Sequence, residues 1–289
     1  MPELKQMSEA NNWSIQETHD RLKAYYDGYH FSRRNMVDVY NPYSLVNALK
    51  SKEIINFWAS SGATSLLPKF VDNAELRLSK FENCSVMRNT LELSDVSGGG
   101  AELFLYQSGY LTIKESDEFG YILGFPNEEV KQALYETVLP ALAMRSENEI
   151  QSLQAGLYRE LGTGQIDEAM NSLKALIADV PYSNKKLASM DMEERYRLII
   201  STIMNAIGLS VEVEKMISTG RIDMTVKTSR YIYVIELKLR NNGGKEAATE
   251  QILNRQYMEP FKADKRKVIG LGIELDEEGK GLLDWKRVE

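Results

Sequence analysis

Asp223, Glu236 and Lys238 are the residues of this chain whose types and spacing are best suited to joint chemistry. They lie in Gly220-Arg221-Ile222-Asp223-Met224 and, beyond a short turn, in Val234-Ile235-Glu236-Leu237-Lys238. Side chains on a strand alternate faces, so Glu236 and Lys238 point one way while Ile235 and Leu237 point the other. A tight hairpin over Lys227-Thr228-Ser229-Arg230, centred between Thr228 and Ser229, sets Asp223 opposite Val234. Asp223 is then the diagonal same-face neighbour of Glu236, with backbones about 7–8 Å apart. Carboxylate side chains bridge that gap. A divalent metal held between them, with an ammonium alongside, is a hydrolytic constellation.

Such residues need a rigid frame, and the region from about Lys185 has the clearest order of elements. "MEERYRLIISTIMNAIGL" reads as a helix with Gly208 near its end. "SVEVEKMI", "RIDMTV" and "YIYVIELKL" read as successive strands, "GKEAATEQILNRQYMEPF" as a helix, and "KVIGLGIEL" as a buried last strand. Three strands with short connections, a crossover helix and a further strand give a mixed sheet with helices on its faces. The order is αβββαβ.

These strings resemble a known family. Asp followed by a hydrophobic strand ending Glu-x-Lys is similar to the PD-(D/E)xK nuclease superfamily, whose core has the same αβββαβ order. The fuller string "GRIDMTV…YIYVIELKLR…EQILNRQYMEPF…KVIGLGI" resembles the branch of that superfamily found C-terminal to AAA-ATPase-like domains. The resemblance implies a restriction-endonuclease-like domain that hydrolyses DNA phosphodiester bonds with a divalent metal. Asp223 and Glu236 are then the metal ligands, with the Leu237 carbonyl as a third oxygen. Hard oxygen donors without His or Cys favour Mg²⁺ or Mn²⁺ over zinc. Lys238 orients and deprotonates the attacking water and offsets charge in the transition state. A glutamate of the first helix completes the site in the superfamily. Glu193 fits that place best, and Glu194 stays open beside it. Relatives often carry His where Arg197 stands, so Arg197 departs from the pattern. Gln251 takes the position of a polar residue facing the site, and Tyr257 and Lys262 are candidates for phosphate contact.

A plainer reading stands beside this one. Asp223 and Glu236 would then be a pair on a solvated sheet face, bridged by Lys238 or Arg221. Ile232 and Val234 share the face of Glu236, which points to burial, and buried carboxylates without a cation are costly. Glu193 also fits a simple helix N-terminus, and Gln251 a solvated helix position.

At 289 residues, with 43% hydrophobic and 27% charged residues, the composition is that of an ordinary globular protein with room for two domains. No apolar run approaches bilayer length, and the polar N-terminus has no signal-peptide core. Cys84 is the sole cysteine, which excludes an internal disulfide and a Cys-based zinc site. Together these features read as a cytoplasmic protein. The net charge of −7 argues against whole-molecule attraction to nucleic acid, while Lys262, Lys265, Arg266 and Lys267 form a local basic cluster. That cluster reads equally as complementing a helix dipole.

Two regions precede residue 185. Residues 1–126 mix short helices with aromatic turns, then a helix leading into a hairpin of Tyr110–Ile113 and Tyr121–Leu123 across a Glu115–Phe119 turn, as in a winged helix. Tyr25, Tyr26, Tyr29, Tyr40 and Tyr43 suit packing of this domain, with base stacking as the alternative. Residues 127–184 read as a bridging helical layer, capped at its start by Asn127 and ended by Pro181. His19 and His30 are isolated. The string "YYDGYHF…VYNPYSLVNAL…FWASSGATSLL…GYLTI…LGFPNEEV" resembles the distal half of the AAA-ATPase-like domain. No G-x-x-x-x-G-K-[ST] loop is present, and "SGGGAELF" lacks the lysine and hydroxyl that cradle phosphate, so no ATP site is expected. The resemblance implies an ATPase partner or a missing N-terminal ATPase half. The fold class expected is mixed α/β, with a helical, winged-helix-like region ahead of the nuclease-like core.

Overall fold

The computed structural model describes residues 2–30, 32, 36–61, 78–92, 96–143, 147–178 and 190–289. Most of "SSGATSLLPKF", Pro181 and the boundary near Asn184 lie outside these residues. The chain divides into two compact units, Met1–Thr137 and Val138–Glu289. No helix among the described residues is long and apolar enough to cross a membrane.

In the first unit, α1 (Pro2–Asn11), α2 (Ile15–Tyr26) and α3 (Pro42–Ser51) enclose a core of Met7, Leu22, Tyr26 and Ala48. Ser14 and Asn41 cap α2 and α3 by accepting backbone N–H groups that would otherwise have no partner. Tyr25 and Tyr40 pack against this core, and the Tyr26 hydroxyl donates to the Ile55 carbonyl at 2.9 Å, so these tyrosines are packing residues. Strand β1 (Cys84–Met87), helices α4 (Arg88–Glu92) and α5 (Val96–Gln107), and strands β2 (Thr112–Ser116) and β3 (Gly120–Gly124) follow. The sheet order is β1-β3-β2, all antiparallel. The hairpin runs longer than the sequence suggests. The Asp117 carboxylate accepts the Phe119 and Gly120 N–H groups, both at 2.8 Å, and confines the turn to three residues. Helix α6 (Glu128–Ala143) starts where expected, with Asn127 Oδ1 accepting the Val130 N–H.

In the second unit, α7 (Glu147–Thr163) and α8 (Ile166–Ala178) precede α9 (Met192–Ala206), β4 (Ser210–Ile217), β5 (Gly220–Lys227), β6 (Tyr231–Leu239), α10 (Gly244–Asn254), β7 (Lys267–Leu275) and β8 (Leu282–Val288). The sheet order is β4-β5-β6-β7-β8. Only β6 and β7 run parallel, joined by the α10 crossover, so the sheet is mixed as expected. The helical layer shares this unit: the Tyr233 hydroxyl donates to the Leu161 carbonyl at 2.7 Å, and the Trp285 indole donates to Asp167 at 2.8 Å.

Ile222, Ile232, Val234, Ile252, Tyr257 and Phe261 form the core between sheet and α10. Gly272 makes the close approach possible, since a Cβ there would stand 2.8 Å from the Lys245 carbonyl and from Thr249. Two expectations are corrected. Helix α10 stops at Asn254 rather than running to Phe261, because Gln256 has a φ of 52° and breaks the α-helical path. The β5–β6 turn lies one residue further on: Thr228 Oγ1 accepts the Arg230 and Tyr231 N–H groups, and the Thr228 N–H bonds the Tyr231 carbonyl. Thr225, not Asp223, therefore faces Val234.

Candidate active site

The β5–β6 ladder ends one residue short of the two carboxylates. Continued past its last pair, Met224↔Ile235, it would set Asp223 across from Glu236. Instead the Asp223 carboxylate enters the opening between the strands, where its Oδ2 accepts the Leu237 N–H at 3.0 Å. Asp223 and Glu236 are both buried, Glu236 with 1% of its surface exposed. A solvated surface pair is thereby excluded.

Glu236 Oε1 accepts from the Gln251 amide and lies 3.3 Å from Lys238 Nζ. Its Oε2 is buried with no hydrogen-bond partner among the described residues. Burial, and after it the nearby Asp223 carboxylate, push the Glu236 pKa up to about 7, with Lys238 offsetting part of the rise. A buried, unpartnered carboxylate oxygen beside a second carboxylate is a place a cation would satisfy. The donor set is oxygen alone, which fits a hard divalent ion. Among the described residues no three His, Cys, Asp or Glu side chains converge as a ready ligand set, so backbone oxygen, water or substrate would fill the remaining positions.

The other expected residues separate clearly. Asp191 caps α9 by accepting the Glu194 N–H at 2.9 Å, which places Glu193 and Glu194 in the first turn. Glu193 reaches the end of β6, where its Oε1 accepts the Leu239 N–H at 3.2 Å and the Asn242 amide at 3.1 Å. It holds the strand next to Lys238. Gln251 touches Glu236 directly and also donates to the Tyr257 hydroxyl at 3.3 Å. Tyr257 is a correction: with 2% exposure in the core, it supports Gln251 from beneath and has no surface for a phosphate. Lys262 stands exposed on a turn, paired with Glu259, and none of its described contacts reaches either carboxylate. Arg266 and Lys267 are paired with Asp264 and Glu289, so much of the basic cluster is neutralised.

Sequence reasoning left Arg197 without a role. Arg197 is one helical turn from Glu193, and its Nη2 lies 3.3 Å from Asp223 Oδ1 while Nη1 lies 2.8 Å from Glu214 Oε1. The signal in the sequence was the i, i+4 spacing from Glu193.

Residues 191–285 match the model of the PD-(D/E)XK nuclease superfamily. This segment is similar to the PD-(D/E)XK nuclease superfamily. The match spans α9 through most of β8 and contains Asp223, Glu236 and Lys238. Over 279 residues the chain is 26% identical to an "uncharacterized protein in vnfD 5′ region" of Azotobacter chroococcum mcd 1. That alignment covers 92% of this chain and 52% of the relative, so the chain spans about half the length of the curated relative it matches. No solved structure matches the chain. Nucleases of this superfamily typically use divalent metals, and the Asp223–Glu236 pair in the matched segment offers oxygen donors alone.

Proposed function

We propose that the second unit is a divalent-metal-dependent nuclease that hydrolyses DNA phosphodiester bonds. The observation that carries this reading is Glu236: buried, next to the buried Asp223, with one oxygen lacking a partner and Lys238 3.3 Å from the other. When bound, Mg²⁺ or Mn²⁺ would lower the pKa of a water and polarise the scissile phosphate. Asp223 and Glu236 would hold the ion, with the Leu237 carbonyl as a further donor. Lys238 orients the attacking water and offsets the negative charge that builds on the phosphate. Gln251 fixes the rotamer of Glu236, and Glu193 fixes the end of β6 from which Lys238 projects.

Incubation with DNA and Mg²⁺ or Mn²⁺ tests this proposal. Cleavage that falls by about 10²-fold or more in Asp223→Ala and Lys238→Ala supports it, on the scale typical of positioned catalytic groups. Equal cleavage by these variants and the parent refutes it.

A second reading is a non-catalytic module that keeps the nuclease fold to bind nucleic acid or protein. The Arg197 guanidinium on Asp223 favours it, because a cation already occupies one side of the pair. DNA binding without Mn²⁺ binding would distinguish this reading. The ATPase-like character of the first unit, and an ATPase partner for the whole, are proposals carried by the sequence resemblance.

A further inference from the structure

This inference rests on the nuclease reading, in which Asp223 and Glu236 share a metal. Both Asp223 oxygens are already engaged. Oδ2 accepts a backbone N–H, while Oδ1 faces a full positive charge on Arg197 at 3.3 Å. The guanidinium has its firmer hold elsewhere, on Glu214 Oε1 at 2.8 Å. Glu214 stands between the pairs Val213↔Met224 and Lys215↔Ile222, across from Asp223, and has a φ of 53° that is unusual for glutamate. Arg221 binds the same Glu214 oxygen at 3.1 Å. The Arg197 side chain is largely buried, and its Nε has no partner among the described residues. A planar guanidinium can serve two carboxylates at once, which an ammonium on a flexible stem does poorly. Asp223, Glu214 and Glu236 thus face Arg197, Arg221 and Lys238, leaving the group balanced in charge without a metal.

We propose that Arg197 is a resident counter-ion on the Asp223 oxygen that the metal needs. Glu214 retains Arg197 when the metal displaces it, so this pair sets the metal affinity of the site. Removing the guanidinium removes a competitor. Removing the Glu214 charge leaves Arg197 with Asp223 as its main partner and makes it harder to displace.

Calorimetric titration of Mn²⁺ into the full chain, with melting curves in EDTA and in Mn²⁺, tests the proposal. Arg197→Gln is expected to bind Mn²⁺ about tenfold tighter than the parent, as loss of a contact worth about 1.4 kcal/mol gives. Its melting temperature in EDTA should fall, and its Mn²⁺-induced rise should exceed that of the parent. Arg197→Lys keeps the charge but loses the fork, so tighter binding there identifies the contact rather than the general field. Glu214→Gln should bind Mn²⁺ more weakly. Parental affinity in Arg197→Lys and Glu214→Gln overturns the counter-ion role, whether or not Arg197→Gln folds. Asp223→Asn separates this failure from that of the nuclease reading. If Asp223→Asn binds Mn²⁺ as the parent does, the metal site itself is wrong; if only Asp223→Asn loses binding, the metal site stands and the counter-ion falls.

Discussion

Replacing Glu236 by glutamine should make the metal-free protein more stable at alkaline pH while removing its metal response. Glu236 ionises near pH 7 in the fold, against 4.5 for an ordinary glutamate. The folded state therefore binds the proton more tightly than the unfolded chain, and stability falls as pH rises through this window. Below the unfolded value both states are protonated and the cost vanishes; above the folded value it is complete. At about 1.4 kcal/mol per pKa unit, ionised Glu236 costs about 3 kcal/mol at pH 8 and about 1 kcal/mol at pH 5. Glutamine carries no such cost, though its amide introduces a donor beside Lys238. That packing penalty is independent of pH and cancels in the comparison. Denaturant unfolding in EDTA should thus show the stability of Glu236→Gln relative to the parent rising by about 2 kcal/mol from pH 5 to pH 8. A difference that does not change with pH would mean that Glu236 ionises as an ordinary carboxylate, and the argument from its burial would fail.

Mn²⁺ should raise the melting temperature more at pH 8 than at pH 6, because at the lower pH the ion must first displace the proton of Glu236; equal shifts would show that Glu236 does not hold the ion. Tyr257→Phe removes a single long hydrogen bond to Gln251 and should cost about 1 kcal/mol or less, whereas Tyr257→Ala should cost about 3–5 kcal/mol as a core deletion. Urea unfolding checks both, and a larger loss of DNA binding than of stability in Tyr257→Phe would restore the phosphate role. Gly272→Ala drives a methyl group into the first turns of α10 and should destabilise by about 1–3 kcal/mol, read from the same unfolding curves.

The strands of the second unit were legible in the sequence because they are long, β-branched and bounded by turn residues. β4, β6 and β7 match the strings "SVEVEKMI", "YIYVIELKL" and "KVIGLGIEL" residue for residue. β8 was not anticipated, since an edge strand such as Leu282–Val288 carries charges and little apolar periodicity. The register of β5 on β6 was missed by two residues because it depends on one hydroxyl, that of Thr228, choosing its backbone partners. Because the shift is even, Thr225 and Lys227 keep the face of Val234 and Ile232, while the ladder stops short of Asp223. Asp223 and Glu236 were singled out by strand alternation together with the Asp…Glu-x-Lys resemblance, and both are buried in the structure. Arg197 was not assigned, because its contact with Asp223 joins a helix to a strand across 26 positions. Tyr257 was misplaced because the chain leaves the helix at Gln256, which turns this side chain into the core.

In the nuclease reading Asp223 and Glu236 together hold a divalent ion. Anomalous scattering from a crystal soaked in Mn²⁺ addresses it most directly. One ordered peak is expected about 2.0–2.3 Å from an oxygen of each carboxylate, as for a hard cation with oxygen ligands, with Arg197 withdrawn from Asp223. An empty site at saturating Mn²⁺, with Arg197 still on Asp223, would contradict that reading.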